Sequence, residues 1–119
     1  MSRWKFLGMA LACAASAILG GGATHAADAA KGKVAYMKYG CWQCHGTEGQ
    51  GSLITSNNKV LAPDPLPYEA FAAFVRSTSR AMPPYSQQAL PDADLADIHA
   101  YLASIPQPKD SKSIPLLSR

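Results

Sequence analysis

The 119-residue sequence predicts an all-α domain from three features. Apolar residues recur at helical spacing in two segments, and a third segment is bounded by a capping Asp and a closing Gly. No run rich in Val, Ile and Thr alternates as a half-buried strand would. Pro and Gly cluster in the intervals, where they interrupt regular structure. About three main helices joined by loops are expected.

The first 26 residues read as an address label rather than part of that fold. Arg3 and Lys5 supply a basic start, Phe6 to Leu19 is an almost unbroken apolar run, and Gly20, Gly21 and Gly22 end it. Thr24-His25-Ala26 places small residues at the first and third positions before a cut, the order found in a cleavable secretory signal peptide. The run is shorter than the roughly 20 residues that a spanning helix needs, so no stable membrane anchor is expected. A lipid anchor would use Cys13, but "ALAC" matches a lipobox poorly and the apolar run continues past it. Cleavage after Ala26 leaves 93 of 119 residues for export to the periplasm. Of the 11 Lys and Arg, two precede the cut and all 8 acids follow it, which reduces the net charge from +3 to +1. With no basic run, nucleic acid is excluded as a partner class.

Three helices follow. The first is expected over 28–39, with Asp28 as its cap and Gly40 ending it. The second covers 68–78, with Phe71, Phe74, Val75 and Thr78 on one stripe and Pro63, Pro65 and Pro67 barring helix before it. The third covers 91–104, with Pro91 near its first position and Asp92 and Asp94 where the helix dipole favours acids. Leu95, Ile98, Leu102 and Ile105 form its apolar face. Gly32 and Tyr36 share a face of the first helix, and the missing side chain at Gly32 invites a close crossing with the third, with Tyr101 filling the notch. The tail 107–119 holds prolines and polar residues and is expected to be extended, although "IPLL" is apolar enough to dock.

The chemistry lies in "KYGCWQCHGTEGQG", residues 38–51. Beyond the signal, only Cys41 and Cys44 remain. A structural zinc site needs four Cys or His ligands, and sequence neighbours rarely all face one tetrahedral centre. A thioredoxin-like pair requires a strand-to-helix junction, and no strand pattern precedes Cys41. Cys-x-x-Cys-His is instead the attachment signature of c-type haem. Thiols on one helical turn reach two vinyl groups, and His45 beside them meets the iron. Gly46, Gly49 and Gly51 let the backbone turn tightly beside a flat cofactor.

The sixth iron position needs a second ligand. Met37 shares the helix leading to Cys41, and His99 sits within the third helix. Met82 lies in "RAMPPY", where Pro83 and Pro84 stiffen a loop suited to holding a soft sulfur against iron. His/Met ligation raises the potential.

"GCWQCHG", the Gly32–Tyr36 pair, "MPPY" and "PDADLADIHAYLASI" together resemble the class I cytochromes c over about 28–105. The resemblance implies a small class I cytochrome c fold round one covalent haem c, thioether bonds at Cys41 and Cys44, and axial ligands His45 and Met82. It also implies outer-sphere electron transfer without catalysis. The partners it suggests are a periplasmic dehydrogenase as donor and a downstream cytochrome or oxidase of the respiratory chain. Many relatives orient the ligand histidine on a backbone carbonyl at a Gly-Pro; here "TSNNKVLAPDPLPY" offers Pro63 as the nearest candidate. Trp42 is either a surface packing residue or part of a docking face. Lys38, Lys59, Arg76 and Arg80 are solvated by default, with steering or propionate pairing as the functional alternative. Two rival readings stand beside the carrier: a five-coordinate haem binding a small ligand, and an obligate relay subunit of a larger oxidoreductase.

Overall fold

A computed structural model describes residues 25–52 and 59–117. The signal-like run and Cys13 lie outside the described residues, as does most of the stretch between the haem motif and the proline-rich segment. Four α-helices occur in the order α1 (Ala29–Lys38), α2 (Trp42–His45), α3 (Tyr68–Ser77) and α4 (Asp92–Ser104), followed by a 3-10 turn at Ser111–Ser113. Among the described residues there is no strand, and no helix is long and apolar enough to cross a membrane.

The three long helices fall where the sequence places them. Asp28 caps α1, its Oδ1 accepting from the N–H groups of Ala30 at 2.8 Å and Lys31 at 3.1 Å. Gly40, at φ +77°, takes the chain out of α1 in a conformation other residues adopt at a cost. Pro67 and Pro91 stand immediately before α3 and α4, where the missing N–H costs nothing. The fourth helix, α2, is the single turn that carries the cysteine–histidine motif.

Tyr36, Leu90, Leu95, Ile98 and Leu102 are almost wholly buried, joined by Ala35, Ala62, Phe71, Val75 and Tyr101. α1 packs chiefly on α4, and α3 packs on α4 from another side. The stripe assigned to α3 needs one correction. Phe71, Val75 and Thr78 are buried, but Phe74 is 51 % exposed. Three-residue and four-residue steps bring Phe71, Val75 and Thr78 onto one line, and Phe74 falls at its margin. His99 is half-buried on α4, its Nε2–H donating to the Leu66 carbonyl at 2.8 Å and its ring edge-on to Tyr68 and Phe71.

The crossing of α1 and α4 occurs at Gly32, as expected, but the occupant of the notch differs. A Cβ at Gly32 would lie 1.8 Å from the Asp97 carbonyl oxygen and 2.9 Å from Tyr101 Cβ. Backbone, rather than the Tyr101 ring, fills the space. Tyr101 instead stacks at a tilt on Tyr36, with ring centroids 5.6 Å apart. The Asp97 side chain is buried beside the crossing, and its Oδ1 accepts from the Asp28 N–H at 2.7 Å and lies 2.7 Å from His25 Nε2. Burial pushes the Asp97 carboxyl up, but the Asp28 N–H, His25 and Lys31 outweigh it and hold the group below the usual carboxylate range.

Two outcomes follow from the crossing. Gly32→Ala should destabilise the fold by at least about 2 kcal/mol in denaturant unfolding, because the helices must separate and the gain in helix propensity of about 1 kcal/mol cannot compensate. In the full 119-residue chain, which retains His25, the depressed Asp97 pKa stabilises the fold fully above about pH 4 and less as pH falls through the folded value. The gap in urea midpoint between wild type and Asp97→Asn should therefore be widest near neutrality and close on acidification.

Candidate haem site

α2 is one turn long because Gly40 and Gly46, both at φ +77°, bracket it. The Cys44 and His45 N–H groups turn back to the Cys41 carbonyl at 3.4 and 3.0 Å. Cys41, Cys44 and His45 thus share a single turn, as the spacing requires. Cys41 is half-buried and Cys44 exposed. Burial pushes the Cys41 thiol up to about 11, opposite to the lowered value of a redox-active thiol. Among the described residues, no group of three or more His, Cys, Asp and Glu side chains is arranged to hold a metal ion.

The His45 ring is oriented by a carbonyl: its Nδ1 lies 2.9 Å from the Lys59 backbone oxygen. A carbonyl only accepts, so Nδ1 is the donor, and in the neutral ring this tautomer leaves the Nε2 lone pair open. The acceptor is Lys59, not Pro63, and the loop geometry explains why. The Gly49 carbonyl takes the N–H groups of Leu61 at 2.7 Å and Ala62 at 3.2 Å, while the His45 carbonyl takes the Gly51 N–H at 2.8 Å. This clasp lays the segment from Lys59 to Ala62 beside the loop leaving His45, in a register that sets Lys59 against the ring. Gly49 makes it possible: at φ +66°, a Cβ there would come within 2.7 Å of Leu102 on α4.

Two tyrosines fix the backbone just after His45. Tyr36 on α1 donates to the Gly46 carbonyl at 2.7 Å, and Tyr101 on α4 donates to the Thr47 carbonyl at 3.0 Å. Burial pushes both phenols up, so they remain neutral donors. The sequence pointed to these tyrosines for packing alone; their hydroxyls are what connect the helix crossing to the site.

Met82 is half-buried and packs against the same core as Cys41. Its loop reaches the cysteine turn through Tyr85. Burial first, then the adjacent Cys41 and Cys44 thiols, raises the Tyr85 phenol, whose hydroxyl donates to the Tyr39 carbonyl at 3.0 Å. Met37, by contrast, is 39 % exposed on α1. Trp42 is 40 % exposed. Arg76 departs from its expected solvated state. Its Nη1 donates to the carbonyls of Tyr85 at 2.9 Å and Ser86 at 3.1 Å, and its Nη2 to Asp92 at 2.6 Å. Sequence reasoning missed the hydrogen-bonding roles of Tyr39, Tyr85 and Arg76, because each acts through a backbone carbonyl that leaves no trace in residue type.

These residues fit a covalently attached haem. They provide two thiols and an imidazole on one turn, the imidazole held with its lone pair available, and a thioether on a loop packed against the same core. Fold and site together define a c-type cytochrome of the class I monohaem kind. The family model described as cytochrome c oxidase, cbb3-type, subunit III matches residues 27–102, more than half of the chain, and the chain belongs to that family. No curated protein and no solved structure matches it. The protein is an electron carrier rather than an enzyme, and its cofactor is haem c.

The tyrosine hydroxyls can be tested separately. Tyr36→Phe leaves the half-buried Gly46 carbonyl with only the longer Gly49 N–H bond at 3.3 Å and should cost about 1 kcal/mol in guanidinium unfolding. Tyr101→Phe should cost less, because Thr47 is exposed and water can replace the donor.

Proposed function

We propose that Cys41 and Cys44 hold the haem through thioether bonds, that His45 and Met82 are its axial ligands, and that the protein shuttles single electrons in the periplasm after loss of residues 1–26. The observation that carries this reading is the His45 Nδ1 to Lys59 carbonyl contact at 2.9 Å, which leaves Nε2 ready for iron on the turn that bears both cysteines. When bound, haem c supplies an iron that alternates between ferric and ferrous states. The chain's own residues keep that site fixed: Lys59 orients the imidazole, Tyr36 and Tyr101 brace the backbone after it, and Leu102 packs against Gly49 in the same loop. A neutral thioether and a neutral imidazole leave the ligand set unchanged when the charge changes, so little has to move.

The donor in this reading is a periplasmic dehydrogenase, and the acceptor a downstream cytochrome or oxidase of the respiratory chain. A second reading is supported by the family description, which names an oxidase subunit: the haem relays electrons inside a larger oxidoreductase. Mild purification from whole native cells separates the two. Recovery of the chain alone supports the free carrier, and persistent co-purification with a catalytic chain supports the subunit.

The ligand set is tested by optical spectroscopy of the protein matured in an export- and haem-competent host. The ferric protein should show the weak sulfur-to-iron band at the red edge, and Met82→Ala should lose it while keeping the haem attached. A high-spin ferric wild type without that band would overturn Met82 as the ligand. Replacing both Cys41 and Cys44 by Ala should abolish covalent attachment, read as haem lost to acid–acetone extraction.

A further inference from the structure

The loop that carries Met82 leaves α3 at Thr78 and comes back to α3 at Tyr85. Its departure is fixed by the Thr78 N–H on the Phe74 carbonyl at 2.9 Å, and its return by the Tyr85 N–H on the Val75 carbonyl at 3.0 Å. Within the span, Thr78 Oγ1 reaches the Met82 carbonyl at 3.4 Å. Pro83 and Pro84 have fixed φ and no N–H, so the residues just after Met82 cannot anchor themselves by backbone donation. The return point must therefore hold the loop, and there the structure concentrates its polar contacts.

Arg76 is the residue that makes them. Its side chain is only 20 % exposed although it carries a full charge. One guanidinium nitrogen bridges the consecutive carbonyls of Tyr85 and Ser86, and another reaches Asp92 in the first turn of α4. Asp92 is itself steadied by Gln87 Nε2 at 2.7 Å. The planar fork spans three acceptors at once, which a lysine ammonium on a flexible stem cannot reproduce. Tyr85 in turn joins the α1 end next to the cysteine turn through its hydroxyl. The chain of contacts runs from α4 through Arg76 and Tyr85 to the segment that leads into Cys41, and Met82 lies three residues before its central member.

We infer that Arg76 is a positioning residue for the distal ligand: by clamping Tyr85 and Ser86 to α3 and α4, it holds the Met82 loop closed over the iron and suppresses the open state in which another ligand could replace the thioether. The inference rests on the reading of Met82 as the axial ligand. Arg76 touches neither haem nor partner in this role. The apparent affinity of an external ligand is the intrinsic affinity multiplied by the fraction of open loop. A weaker clamp therefore appears as tighter external binding.

The test is imidazole titration of the ferric holoprotein, followed by the shift of the main haem absorption band and, where the red sulfur-to-iron band is present, by its loss, for wild type, Arg76→Gln, Arg76→Lys, Asp92→Asn and Met82→Ala. Losing charge-assisted hydrogen bonds at the return point should tighten apparent imidazole binding about tenfold in Arg76→Gln. Arg76→Lys should fall between that variant and wild type. Asp92→Asn keeps the fork on the two carbonyls and weakens only an exposed contact, so it should tighten binding about threefold. Global unfolding is measured alongside. A merely structural arginine would lower the unfolding midpoint and leave imidazole affinity at the wild-type value, and that result overturns the inference. If Arg76→Gln does not fold, Asp92→Asn decides: unchanged affinity there overturns it equally. The Met82 reading fails in a different way. A wild type without the red band, binding imidazole as tightly as Met82→Ala, removes the ligand assignment and this inference with it.

Discussion

The close crossing of α1 on α4 at Gly32 is the constraint from which the site is built. With no side chain at Gly32, the Asp97 carbonyl occupies the place where a Cβ would stand. That approach brings Tyr36 and Tyr101 together, and their hydroxyls hold the two carbonyls that follow His45. A helix-packing contact thereby becomes a constraint on the cysteine–histidine turn. Asp97 contributes at both levels: its backbone fills the notch, and its buried carboxylate ties the start of α1 to the middle of α4.

Backbone carbonyls are the recurring currency of the site. Lys59 orients the imidazole, Gly49 sets the register that puts Lys59 there, Tyr39 receives Tyr85, and Tyr85 and Ser86 receive Arg76. This suits an electron carrier, in which the best protein is one that moves little when the charge at its centre changes. Carbonyls belong to an already folded backbone, so the side chains they hold inherit its rigidity.

The helices and the cysteine–histidine motif could be read from the chain because their causes are local. Asp28, Gly40, Pro67 and Pro91 mark helix ends through their own backbone chemistry, and the spacing of Leu95, Ile98 and Leu102 reports one buried face. Phe74 shows the limit of such patterns, since a helix face has a margin and the sequence does not say how wide the covering element is. Arg76 shows another limit. A charge on a helix is solvated by default, and only the return of the Met82 loop to α3 supplies the carbonyls that make it a clamp.

By itself, the sequence determined the class of fold, the three long helices, the haem-attachment turn and the glycine at the crossing, because each depends on residues within a few positions of one another. The tertiary structure alone decided that Lys59 rather than Pro63 orients His45, that a carbonyl rather than a tyrosine ring fills the notch, and that Arg76 holds the carbonyls of Tyr85 and Ser86. Each of those contacts joins a side chain or a missing one to a backbone group on another segment, and every residue carries the same carbonyl. Residue identity therefore cannot signal the acceptor; only the path of the chain can bring it into place.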